Sequence, residues 1–140
     1  MNEAEMAQYI FDTFPRVETA ENLGYKFFFY GADRMRPFAT IATSDSDYER
    51  VSNHIRPGVF RLNIGVSRQT FRSLFGADHV DVSRYDYTAL DRIMPHPDYA
   101  AQNWLCVLNP TEATFDQVRT FLAEAYELAR SRSTKRTKTE

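Results

Sequence analysis

An α+β fold, with helices packed on an antiparallel sheet of about five strands, is what this sequence predicts, and three features carry it. Residues 3–14 place Met6, Ala7, Ile10, Phe11 and Phe14 on one helical stripe. Four short β-type segments follow, joined by connections too brief for crossovers, so neighbours pair as hairpins or a meander. Near the end, Phe115, Val118, Phe121, Leu122, Ala125, Leu128 and Ala129 mark one face of a long helix. The expected order is α-β-β-β-β-α, a short element, then β-α.

In chain order, Pro15 stops the first helix, having no N–H and a fixed φ. Residues 16–22 form a weak strand, and Leu23-Gly24 a tight turn. The aromatic run at 25–30 is a strand covered on both faces. Residues 31–37, with Asp33, Arg34 and Arg36, make a polar loop, and 38–43 the next strand. Residues 44–47 turn or cap, and 48–53 form one helical turn.

The central strand is the clearest. Phe60, Leu62, Ile64 and Val66 alternate with Val59, Arg61, Asn63 and Gly65. The first set reads as the core face and the second as a polar or ligand-facing one. Ser67 then suits an N-cap and Gly76 a left-handed C-cap, around a helix burying Phe71, Leu74 and Phe75. Such a strand-to-helix junction can attract an anion, since the helix start offers unpaired N–H groups.

Beyond Gly76 the pattern weakens. Asp86 is expected to cap a short helix through Leu90 and Ile93, ended by Pro95. Two prolines stiffen the 95–99 loop around His96. Trp104 opens an apolar strand through Leu108, and Trp104 should be largely buried. Thr114-Phe115-Asp116-Gln117 fits a capping box for the final helix.

Composition narrows the function classes. The 140 residues, 43% hydrophobic, suffice for one core. No apolar run reaches the ~20 residues of a membrane helix, and the acidic N-terminus has no signal-peptide core. Cys106 is the only cysteine, so no intrachain disulfide forms and a cytoplasmic setting fits. Five of the 17 basic residues are Arg130, Arg132, Lys135, Arg136 and Lys138, leaving 12 basic and 18 acidic side chains in residues 1–129. An acidic body is a poor match for nucleic acid by charge. The expected organisation is one domain over residues 1–130 and a basic, disordered tail over 131–140.

Three blocks carry a family resemblance: Arg36-Pro37-Phe38-Ala39-Thr40-Ile41; the run from Arg56-Pro57-Gly58 through Gly65; and Pro95-His96-Pro97 followed by Ala100, Trp104 and Val107-Leu108-Asn109-Pro110. The chain resembles a family of short bacterial proteins known only as a domain of unknown function. More distantly it is similar to the MmcQ/YjbR-like group, in which a loop ending in Trp enters the last strand. Ala101-Gln102-Asn103-Trp104 falls at that loop, without the Lys-x-His that precedes the Trp there. The resemblance implies a YjbR/CyaY-like fold and no established chemistry. DNA binding enters only by analogy with the wider group.

No catalytic, metal or cofactor constellation stands out. His54, His79 and His96 lack ligand spacing. His96 could serve as a general base, but hydrogen bonding to its own loop is the simpler role. Cys106 reads as an inert buried thiol. Ser67 and Ser73 lack a Gly-x-Ser-x-Gly elbow. Asp86 and Asp91 read as caps rather than paired acids. Arg61 could grip a carboxylate or phosphate, or form an ion pair across the sheet.

The expected function is a small, non-catalytic module that binds an unidentified small molecule or protein, as a monomer or homodimer. The alternatives are a DNA-binding accessory protein and a small enzyme using His96 with Arg61 or Tyr99. The expected pocket lies where the 95–99 loop meets the polar face of the central strand, at Arg61, Asn63, His96, Tyr99 and Trp104.

Overall fold

The computed structural model describes residues 2–32, 36–43 and 58–139. The turn expected at 44–47, the helical turn at 48–53, His54, and Arg56-Pro57 ahead of the central strand lie outside them.

Six strands form one antiparallel sheet: β1 (Val17–Asn22), β2 (Tyr25–Tyr30), β3 (Ala39–Thr43), β4 (Phe60–Gly65), β5 (Met94–Pro95) and β6 (Trp104–Leu108). Their order is β1-β2-β3-β4-β6-β5. Three helices accompany them among the described residues: α1 (Glu3–Thr13), α2 (Arg68–Phe75) and α3 (Glu112–Thr139). The sheet thus has one strand more than expected. The addition is the two-residue edge β5, where Met94 pairs with Cys106 and Pro95 with Leu105. Proline suits an edge, where no inward N–H is needed.

Local chemistry explains most boundaries. In α1, Asn2 and Glu5 exchange side-chain and backbone hydrogen bonds in a capping box. β1 and β2 join through Leu23 and Gly24 at φ 55° and 84°. Two left-handed residues in a row suit the twist of a tight hairpin. Ser67 accepts from the Thr70 amide at the start of α2, and Gly76 ends it at φ 80°.

Two expectations are corrected here. No helix follows Asp86; its carboxylate instead holds Thr88, through the amide at 3.0 Å and the hydroxyl at 2.6 Å. The last helix begins at Glu112, ahead of the expected capping box. Asp91 accepts from the Thr111 amide at 2.7 Å and hydroxyl at 2.9 Å, fixing that start from 20 residues away. These bonds, the backbone one first, hold the Asp91 carboxyl below its usual range. Helix α3 itself spans Glu112–Thr139.

One face of the sheet carries the main core. Phe28, Ile41, Leu62, Ile64, Leu105 and Val107 pack with Met6 and Ile10 of α1, Phe71 of α2, and Val118 and Leu122 of α3. Leu62 sits between Ile41 and Val107, and Ile64 between Ala39 and Leu105. On the opposite face, Tyr87, Met94, Cys106 and Leu108 form a second, smaller cluster under the β5–β6 end. The site lies beside that cluster.

The junction between β4 and α2 is an anion site, filled by the protein itself. Glu124 of α3 accepts from the Ser67 amide at 3.0 Å and the Thr70 hydroxyl at 2.9 Å. A carboxylate at a helix start is stabilised by the free N–H groups and the dipole. Glu124→Gln should therefore cost about 1 kcal/mol, read by urea denaturation at neutral pH. An unchanged midpoint would show that the contact contributes nothing.

Candidate ligand-binding site

Strand alternation puts Arg61 and Asn63 on the face opposite the helices. Their strand is one of the inner strands of the sheet, and both are 1% exposed. Burial of such groups is costly unless they are bonded. Here Arg61 Nε donates to Asn63 Oδ1 at 3.0 Å, and Asn63 Nδ2 donates to Thr40 Oγ1 at 2.9 Å. Cross-strand pairing of Thr40 with Asn63 sets the second bond. The relay crosses from β4 to β3 and holds both side chains in place.

His96 approaches from the β5–β6 hairpin. Its amide donates to the Trp104 carbonyl at 2.9 Å, and a short 3-10 turn at Ala100–Gln102 closes the loop. The imidazole is 3% exposed. Its Nδ1 accepts from the amides of Asp98 at 3.0 Å and Tyr99 at 3.1 Å. A nitrogen that accepts two N–H groups carries no proton, so in the neutral ring the proton sits on Nε2. Burial, and then the positive charge of Arg61, lower its pKa to about 3. The loop-fixing role is thus the one the geometry displays. To act as a base, the ring would have to surrender its two backbone bonds or accept a second proton while buried.

Trp104 is covered over most of its surface and keeps a partly exposed edge. It stands on the face away from the helices, directly across from Gly65. A Cβ at Gly65 would meet the indole at 2.8 Å. Glycine is required here by close approach of the ring. Gly65→Ala should cost about 1–3 kcal/mol in the wild type and nothing in a Trp104→Ala background. Equal costs in both, measured by thermal unfolding, would contradict this packing.

These side chains line one cavity of about 950 Å³. All five expected residues border it: Arg61, Asn63, His96, Tyr99 and Trp104. Tyr99 is 56% exposed, its ring centroid 5.0 Å from that of His96. Sequence reading missed much of the wall, including Tyr25 and Phe27 of β2, Thr40, Arg36, Gln102, and Arg132 of α3. Knowing that Phe27 pairs with Thr40, and Thr40 with Asn63, would have found the first three. Nothing local marks Arg132. Among the described residues, no three His, Cys, Asp or Glu side chains cluster as metal ligands. No described helix is long and apolar enough to cross a membrane.

A family profile matches residues 1–138. The chain belongs to DUF6194, a family of unknown function. No curated protein matches it. Among solved structures, it is similar to a structural-genomics crystal structure of a Pseudomonas syringae protein. The TM-score is 0.57 at 14% identity, covering 92% of this chain and 99% of that one. Likeness at that identity concerns the fold alone.

Proposed function

We propose that this DUF6194 chain is a non-catalytic domain that binds a small molecule in the cavity between β2–β4 and the 95–99 loop. One observation carries the reading. A guanidinium, an amide and an imidazole, each at most 3% exposed, are gathered on one cavity. Converging polar groups beside aromatic walls are the usual make-up of a ligand site. A packed sheet with no such task would be more stable with apolar side chains there. The fixed tautomer of His96 favours recognition over proton transfer.

The test is a thermal-shift screen against charged and neutral metabolites. A ligand at 100 times its Kd adds about 2.7 kcal/mol, a shift of several degrees. A hit that also shifts a Trp104→Leu variant equally lies elsewhere. A silent screen removes the reading.

A second reading, a DNA-binding accessory protein with the MmcQ/YjbR-like fold, draws on one feature. The helical extension of α3 sets Arg130, Arg132, Lys135, Arg136 and Lys138 on a continuous helix. Gel-shift at about 150 mM salt separates it from charge attraction, which fades with salt. Binding lost in a Lys135/Arg136/Lys138→Ser triple variant reduces it to that attraction.

A further inference from the structure

We propose that the cavity takes a flat aromatic or heteroaromatic ring bearing one anionic group. This rests on the small-molecule reading above and assigns its ligand class.

Charge is the first argument. Among the described lining residues, Arg36, Arg61 and Arg132 bring guanidinium groups, against the single carboxylate of Asp98. A cleft with low-dielectric walls focuses such a potential onto whatever enters. Guanidinium groups also suit the planar, two-oxygen edge of a carboxylate or phosphate.

The second argument is the polarity of His96. Two loop amides occupy Nδ1, which makes Nε2–H a donor. A donor-bearing wall favours an acceptor ligand and disfavours a cation.

Shape is the third. The floor is sheet: Thr40 of β3 and Asn63 of β4, with Gly65 beneath the Trp104 indole. Phe27 and Tyr25 flank it from β2, their centroids 6.1 Å apart and their planes tilted by 33°. Trp104 flanks it from β6, its indole against Gly65. Aromatic walls on both sides of a low floor favour a thin, flat ligand through stacked or edge contacts.

Titration calorimetry with four probes tests the proposal: 2-naphthoate, 2-naphthyl phosphate, 2-naphthamide and cyclohexanecarboxylate. One or both naphthyl anions should bind at least about tenfold more tightly than the neutral amide, as loss of a charge-assisted hydrogen bond requires. The same margin should separate them from the non-planar anion. The two anions against each other distinguish a carboxylate ligand from a phosphate one. Arg36 is exposed at the cavity mouth, so Arg36→Gln should fold normally. It should weaken the anions and leave the amide unchanged. Trp104 is the only tryptophan, so its single indole N–H resonance should move on binding.

Equal affinity for anion and amide, or for flat and non-planar anions, overturns the proposal. Binding that leaves the indole resonance still, or is indifferent to Arg36→Gln, does so too. Amide binding alone, or a metabolite hit with all four probes silent, keeps the site and discards the ligand class. Silence in both experiments discards both.

Discussion

Lowering the pH from 6.5 to 5 is expected to remove about 2 kcal/mol of stability through His96 alone. Its folded pKa lies near 3, below the ordinary 6.5, because burial and the Arg61 charge disfavour imidazolium. The unfolded chain takes up its proton below 6.5, while the folded chain declines it until about pH 3. Stability is thus complete above 6.5 and falls as pH drops, by about 1.4 kcal/mol per unit. Asp78, Asp81, Asp91 and Glu127 are held below their usual ranges and ionised across this window. Their contribution is lost only at lower pH. Denaturant midpoints at pH 7, 6 and 5 give the slope, and His96→Gln should flatten it. If that variant does not fold, the His96 Hε1 resonance decides: titration near pH 6.5 would refute the neutral, buried ring.

Replacing Tyr126 is the mutation with the largest expected cost, about 3–5 kcal/mol for Tyr126→Ala. The ring, 7% exposed, stacks on Phe14 at 4.9 Å. It meets Tyr30 and Phe38 edge-on at 5.6 and 5.8 Å. Its hydroxyl donates to the Pro15 carbonyl at 2.7 Å, across 111 residues of sequence. Burial pushes the phenol pKa up, so it stays a donor through the physiological range. One side chain thus fastens α3 to the exit of α1 and the start of β1. Tyr126→Phe keeps the packing and drops only the hydrogen bond, so about 1 kcal/mol is expected. Urea unfolding of both variants checks the partition. A Phe variant as unstable as the Ala one would move the weight from packing to the hydroxyl.

What the sequence made legible was local. Alternation at Phe60–Gly65 marked both faces of β4, and Ser67 and Gly76 marked both ends of α2, because each signal sits within a few residues of its effect. The five candidate residues that border the cavity could be grouped because two faced the same way on one strand and three lay at or beside one proline-bound loop. What failed was settled at a distance. Asp91 starts α3 from another part of the chain, and Glu124 answers the helix start at Ser67. Strand β5 is two residues long and carries no period. Arg132 reaches the cavity only because α3 packs where it does.

The buried pair on β4 also bears on how the chain finds its register. Successive strand residues point to opposite faces, so sliding β4 by one position against β3 and β6 would exchange the two sets. Phe60, Leu62 and Ile64 would turn away from the helices, while Arg61 and Asn63 entered the apolar layer that holds Met6, Ile10 and Leu122. A guanidinium there, with the Asn63–Thr40 bond across the strands broken, would be prohibitive by several kcal/mol. An all-apolar β4, buried on both sides, could slip with little penalty. Arg61 and Asn63 therefore act as a key cut on one side of the blade: the strand is stable in the sheet only one way up.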